Sequence, residues 1–94
     1  MKVSVRFFAA LREIVGKKEE TLEFSEDKNV TIEKVLKRLT DLHGKDFAEY
    51  VYDVQTGEVR SYLQLHVNEK SAMTLKAKLK DGDVLAIIPP VGGG

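Results

Sequence analysis

Four stretches of the chain carry the apolar pattern of β-strands. Residues 2–7 and 63–68 alternate apolar and polar side chains, which is the period of a half-buried strand, and residues 21–24 repeat it more briefly. Residues 84–88 are apolar at every position, as expected for a central strand. The pattern therefore predicts a sheet with residues 84–88 near its centre.

The strongest helical signal lies between Thr31 and Gly44. One stripe of apolar side chains follows the helical period at Ile32, Val35, Leu36, Leu39 and Leu42. Thr31 is a favourable N-cap, and Gly44 stands where the helix should end. Weaker helical spacing predicts a short turn of helix within residues 8–16, closed by Gly16, and a further turn around residues 47–51.

The order of these elements is strand, strand, helix, strand and strand. The first and last strands are both apolar enough to favour the sheet centre, with the main helix across one face. This is an α+β fold of the β-grasp type, with a mixed sheet. Pro89 and Pro90 stop the sheet because neither can donate to a ladder. We therefore expect one domain over residues 1–90 and a flexible, extended tail over residues 91–94.

Composition excludes several classes of protein. Among the 94 residues, 15 are Lys or Arg and 15 are Asp or Glu, and this balance argues against a nucleic-acid binder that neutralises phosphates. The absence of cysteine excludes disulfides, thiolate metal sites and cysteine nucleophiles. Neither a membrane-spanning apolar run nor a signal-peptide pattern occurs, so we expect a cytoplasmic protein with no membrane partner.

Side chains offer little for catalysis or metal binding. His43 and His66 are the two histidines, and they do not form a metal-binding helical motif, so each is expected to be structural or idle. We expect no metal site. Three charged groups are interpreted as solvated surface: Glu19–Glu20, Glu26–Asp27, and Lys76 with Lys78 and Lys80.

The C-terminal tail is the best candidate for chemistry. Pro89 and Pro90 favour an extended exit, and the residues after Pro89 can reach roughly 15–18 Å from the domain. Gly92, Gly93 and Gly94 have no Cβ atoms, so they can thread a narrow channel and leave the terminal carboxylate free to attack a nucleotide α-phosphate. The alternative is a frayed terminus without function.

The two ends of the chain resemble the MoaD/ThiS family of ubiquitin-like sulfur carriers. The resemblance rests on VRFFA at residues 5–9, LRE at 11–13, LKDGD at 79–83 and IPPVGGG at 88–94. It is nearest to the small subunits of molybdopterin synthase. It implies a ubiquitin-like β-grasp fold and a terminal glycine, here Gly94, that is adenylated and becomes a thiocarboxylate. Gly93 then completes the family's diglycine, and Gly92 takes the variable position before it.

The resemblance also implies partners. An adenylating enzyme of the MoeB/ThiF type uses ATP to activate the tail, while the carrier binds no cofactor of its own. A large subunit of the MoaE type then uses the sulfur to build the dithiolene of molybdopterin or its tungsten analogue. Phe8, Ile88 and Val91 match positions expected to contact partners, although Phe8 could equally be a core residue. Met73 could join this surface.

Two other functions share the same tail chemistry. Related small modifiers join the terminal carboxylate to lysine amines, or pass sulfur to tRNA thiolation. A third possibility is a β-grasp binding domain whose tail does no chemistry. In each case the chain is not an enzyme on its own. The fold cannot separate these readings, because one fold hosts many functions.

Overall fold

A mixed sheet with helices on one side forms the protein. The computed structural model describes residues 1–25, 29–72 and 74–90. The elements run β1 (Lys2–Phe7), α1 (Ala10–Val15), β2 (Glu19–Glu23), α2 (Ile32–His43), α3 (Lys45–Val51), β3 (Gln64–Val67), β4 (Lys70–Ser71) and β5 (Val84–Ile88). The five strands lie in the order β2-β1-β5-β3-β4. The predicted α+β, ubiquitin-like β-grasp fold is confirmed.

The centre of the sheet is formed by β1 and β5, as predicted. These two strands run parallel, with Val5 opposite Leu85 and Phe7 opposite Ile87. All four side chains are fully buried against the helices. The middle strand of a sheet is shielded from water by a strand on each side. Apolar side chains gain most free energy from burial there, so the most apolar strand takes this place.

The main helix α2 begins and ends as the sequence predicts, but its stripe differs at one position. The hydroxyl of Thr31 accepts a hydrogen bond from the Lys34 amide at 3.2 Å, which caps the helix. Leu42, predicted to be buried, is 54% exposed. At about 100° per residue, Leu42 lies about 80° from Ile32 around the helix axis, whereas His43 lies within about 20°. His43 therefore continues the stripe that Leu42 was expected to end.

The segment after α2 holds one predicted helix and one short strand that the sequence did not indicate. The helix α3 covers the predicted turn around residues 47–51, and Tyr52 then bridges to Val59 across a turn. The missed strand β4 pairs with β3 through a two-residue turn, Asn68 and Glu69, with both residues at positive φ. Such turns are usually marked by glycine, which is absent here.

The sheet has one face covered and one face open among the described residues. Leu85 and Ile87 point to the helices, whereas Val84, Ala86 and Ile88 are half-buried on the opposite side. We call this opposite side the outer face. Across the described part of the chain, no helix is long and apolar enough to cross a membrane.

Candidate functional site

The predicted tail leaves the sheet from its central strand. Ile88 ends β5, and Phe8 directly follows Phe7 at the end of the parallel strand β1. Phe7 lies opposite Ile87 on the parallel strands β1 and β5. The next residues, Phe8 and Ile88, therefore lie at the same end of the sheet, where both strands end. The residues of the tail itself, 91–94, lie outside the described part of the chain, as does Met73.

Phe8 lies outside the core. Phe7 is fully buried, while Phe8 is half-buried and is not part of the core cluster. The guanidinium carbon of Arg12 lies 5.5 Å from the centre of the Phe8 ring, and Arg12 Nε donates a hydrogen bond to the Phe7 carbonyl at 3.0 Å. Ala9 follows at a φ of 52°, so the chain turns sharply from β1 into α1. This turn leaves the Phe8 ring on the outer face.

Phe8 and Ile88 line the same hollow on the outer face. The hollow has a volume of about 530 Å³, and we call it the Ala86 hollow. Its lining includes Arg6, Phe8, His66, Val84, Ala86 and Ile88, with Asn68 and Glu69 at the far end. Four of the lining residues are apolar and four are polar or charged, and this mixture on an open sheet face suits the binding of another protein. Two of the three residues predicted to contact partners thus line one hollow, while the third, Val91, lies outside the described residues.

The two histidines lie in different environments. His43 Nε2 lies 2.6 Å from Glu20 Oε1, and the imidazole packs edge-on to Phe7 and against Phe47. His66 Nε2 lies 3.3 Å from Gln64 Oε1 on the outer face. In the part of the chain that the structure describes, no cluster of three or more His, Asp or Glu side chains could hold a metal ion.

Glu20 is not the solvated surface charge that the sequence suggested. Its carboxylate accepts from His43 and lies 3.3 Å from the Lys17 ammonium, with about 15% of the side chain exposed. Partial burial raises the pKa of Glu20, but the hydrogen bond and charge of His43, with help from Lys17, hold it below its ordinary value. Glu19 behaves as predicted and is exposed, 3.6 Å from Arg6. The other acidic pair, Glu26–Asp27, lies outside the described residues.

The outer face also contains residues that sequence reasoning missed. Arg6 and His66 lie directly opposite Ala86, one on each side of the central strand. Their positions in alternating strands showed that they face away from the core. The sequence does not show which strands are neighbours or in what register they pair, and both facts are needed to predict that Arg6 and His66 lie close together.

Comparisons with known proteins agree with this geometry. The profile of the ThiS family matches residues 5–94. Small archaeal modifier protein 3 of Haloferax volcanii is 31% identical over 103 residues, and the match covers 100% of both chains. The crystal structure of small archaeal modifier protein 1 of the same species has a TM-score of 0.85 at 26% identity, and again covers 100% of both chains.

A further similar structure has a name that refers to molybdopterin synthesis. A Pyrococcus furiosus protein assigned as subunit 1 of a molybdopterin converting factor has a TM-score of 0.76 at 29% identity, covering 97% of this chain and 99% of that one. The family match spans nearly the whole sequence, including both motif-bearing ends. The chain therefore belongs to the ThiS/MoaD family of ubiquitin-like sulfur carriers and modifiers.

Proposed function

We propose that this protein is the sulfur-donor subunit of a molybdopterin synthase, with Gly94 as its reactive residue. In this role it supplies sulfur to a large subunit of the MoaE type and has no catalytic activity alone. The similarity to the molybdopterin converting factor subunit of Pyrococcus furiosus supports this assignment, with the fold and the resemblance of the terminal motif.

One observation carries the proposal: the last described residues before the tail adjoin the open Ala86 hollow of the outer face. Pro89 and Pro90 follow directly on Ile88, whose side chain lines the Ala86 hollow together with Phe8. A partner docked on this surface would hold the domain beside the start of the tail. The tail could then deliver its carboxylate into the partner's active site with little entropic cost, since proximity is fixed by docking.

The activation chemistry is proposed to occur in an adenylating enzyme of the MoeB/ThiF type. A carboxylate oxygen of Gly94 attacks the α-phosphorus of ATP, which forms the acyl adenylate and releases pyrophosphate. A sulfur nucleophile supplied by a partner as a persulfide then attacks the acyl carbon and displaces AMP. Reductive cleavage of the resulting acyl disulfide by a thiol leaves the thiocarboxylate. The carrier itself contributes an unhindered C-terminus and the docking surface, and needs no bound cofactor.

Deletion of Gly93 and Gly94 tests this proposal. We expect the melting temperature to stay within about 1 °C, because a solvated terminus buries little surface. ATP–pyrophosphate exchange in the presence of the purified adenylating enzyme should be abolished. Replacing Lys37 by Gln, an exposed change on α2, serves as the control and should leave exchange unaffected. Exchange by the truncated protein at the wild-type rate would overturn the proposal.

A second candidate function is favoured by the curated relative. Small archaeal modifier protein 3 matches this chain over its full length, and its name describes a protein modifier. In that case the neutral amine of a target lysine attacks the carbonyl of the Gly94 acyl adenylate, AMP leaves with cleavage of the anhydride C–O bond, and loss of a proton from nitrogen gives the isopeptide bond. The intact mass of protein from the native host distinguishes the two, since a thiocarboxylate adds about 16 Da while conjugates appear as larger species.

A further inference from the structure

The outer face has a gap in the middle of a cross-strand row. The register places Glu19, Arg6, Ala86 and His66 side by side on β2, β1, β5 and β3. Neighbouring strands lie about 4.8 Å apart, so the Arg6 and His66 backbones are roughly 10 Å apart with a single methyl group between them. The two long side chains thus form the walls of the Ala86 hollow, and Ala86 forms its floor.

Apolar side chains flank Ala86 along β5. Val84 and Ile88 precede and follow Ala86 on the same side of β5, and Phe8 stands beside Ile88. A group that enters the hollow therefore contacts hydrocarbon at its stem. Its tip can reach the Arg6 guanidinium on one wall and the His66 ring on the other, and both groups can donate hydrogen bonds. This lining suits a side chain with an apolar stem and a polar tip.

The charges around Phe8 favour an acidic tip. A smaller hollow of about 230 Å³ shares Arg6 and Phe8 with the Ala86 hollow, and its lining also includes Arg12, Lys18 and Glu19. Three cations and one acid therefore line this smaller hollow, although the whole protein is neutral. Glu19 neutralises Arg6 only in part, because their contact is 3.6 Å long and both side chains are more than half exposed. The acidic residue of the Ala86 hollow, Glu69, lies at its opposite end.

We infer that the protein partner of this surface inserts an acidic side chain over Ala86, with its carboxylate on Arg6 and its stem against the His66 ring. This inference rests on the proposed function, in which an adenylating enzyme docks on the outer face. It adds the chemistry of the contact: a glutamate of the partner forms a charge-assisted, partly desolvated pair at the centre of an apolar interface. Arg6 and Ala86 then determine which partners fit, Arg6 by charge and Ala86 by its small size.

Two substitutions test the charge and the space separately. Arg6→Glu reverses the charge, and Ala86→Leu fills the floor of the hollow without altering any charge. Lys37→Glu reverses a charge on the exposed side of α2 and is the matched control. The probe is the purified ThiF-type adenylating enzyme from the same source, with ATP. Pyrophosphate exchange is measured against carrier concentration at low and at moderate salt, and thermal unfolding confirms that each variant is folded.

We expect Arg6→Glu and Ala86→Leu each to raise KM at least tenfold with little change in kcat, and Lys37→Glu to change KM less than twofold. The KM of the wild type should rise with salt, and that of Arg6→Glu should not, because screening acts on the attraction that the variant lacks. Wild-type KM values for both variants would overturn this inference alone. Absence of exchange with the wild-type protein would instead refute the proposed function.

Discussion

At the scale of single residues, the contact between Glu20 and His43 is a short, partly buried polar interaction between a strand and a helix. It joins the edge strand β2 to the last turn of α2, and it lies against Phe7 and Phe47. A charge-assisted hydrogen bond in a partly buried setting is stronger than an exposed ion pair, because water screens the charges less and competes less for the hydrogen bond. This contact therefore links the sheet to the main helix and should stabilise their packing.

Replacing Glu20 by Gln should destabilise the protein by roughly 1–3 kcal/mol near pH 6. The pKa of Glu20 is lowered in the folded protein, so its stabilising contribution is complete above the ordinary glutamate value of 4.5 and is lost as the pH falls through the lowered value. The stability difference between the wild type and Glu20→Gln should accordingly shrink at about pH 3. Urea unfolding at both pH values measures it.

Glu19→Gln is the matched control for this experiment. Glu19 is the adjacent residue, but it is exposed and 3.6 Å from Arg6, so its replacement should change the free energy of unfolding by less than about 1 kcal/mol. An equal loss of stability for Glu20→Gln at both pH values would show that the carboxylate charge contributes nothing.

The comparison of Phe8 with Leu36 separates the outer face from the core. Leu36 is fully buried on α2, and Leu36→Ala should lower the free energy of unfolding by roughly 2–5 kcal/mol. Phe8 is half-buried and outside the core cluster, so Phe8→Ala should cost much less stability and mainly weaken binding to the adenylating enzyme or large subunit, by about 2 kcal/mol. Thermal unfolding and titration of the partner measure the two effects. Equal losses of melting temperature would return Phe8 to the core.

At the scale of elements, α2 depends on the start signal that the sequence contains. Thr31 both caps the helix and forms an isolated bridge with Lys78, so it fixes the entry of the helix against the segment before β5. The Ile32 and Glu33 amides donate to the Ala77 and Leu75 carbonyls, which satisfies two more groups at this end of the helix. The end of α2 is thus held by local and by distant contacts together.

Thr31→Ala should destabilise the protein by about 1 kcal/mol, because the Lys34 amide loses its acceptor. Thr31→Ser retains the hydroxyl and should recover most of that loss. Chemical denaturation of the three proteins checks the order wild type, Ser, Ala. A Ser variant as unstable as the Ala variant would mean that the threonine methyl group, and not the cap, is what matters.

At the scale of the whole molecule, the proposed function combines the open outer face with the tail. In the described part of the chain, the sheet buries one face against α1, α2 and α3 and leaves the other open, so a partner can bind the domain without disturbing its core. The tail follows Pro90, two residues after the end of the central strand. In this proposal the surface supplies affinity and the glycines supply reach, so docking and chemistry are separate.

Inserting one alanine between Val91 and Gly92 tests this separation. The insertion adds about 3.3 Å of reach and a methyl group. We expect sulfur transfer from chemically thiocarboxylated protein to the pterin precursor to fall sharply in the presence of the large subunit, since a misplaced nucleophile loses the benefit of proximity. Binding of the domain to that subunit should stay unchanged. Isopeptide formation on lysines should tolerate the extra length better.

Dithiolene formation by the insertion variant at the wild-type rate would contradict the requirement for one spacing. A wild-type protein that binds no large subunit, and that occurs in cells as lysine conjugates, would decide for the modifier function. Both measurements use the full chain. The melting temperatures of the insertion variant and the wild type are compared, so that a folding defect of the variant is detected.

The sequence alone determined most of the elements, the fold class and the location of the proposed chemistry, but it did not indicate β4. Helix α2, its cap at Thr31 and the central strand β5 follow from patterns of near neighbours, which act over one or two turns or a few alternating positions. The tail was identified from residues 89–94 because reactivity at a chain terminus needs no tertiary neighbours. The family resemblance then linked these features to sulfur transfer and protein modification.

Only the tertiary structure decided which distant side chains meet. The hydrogen bond between Glu20 and His43 joins residues that are 23 apart in sequence. The cross-strand row of Arg6, Ala86 and His66 depends on the register of three strands. Local patterns do not encode register, since a shift by one residue exchanges the two faces of a strand. The exposure of Leu42 and the shared hollow of Phe8 and Ile88 likewise depend on how the helix and the strands pack together.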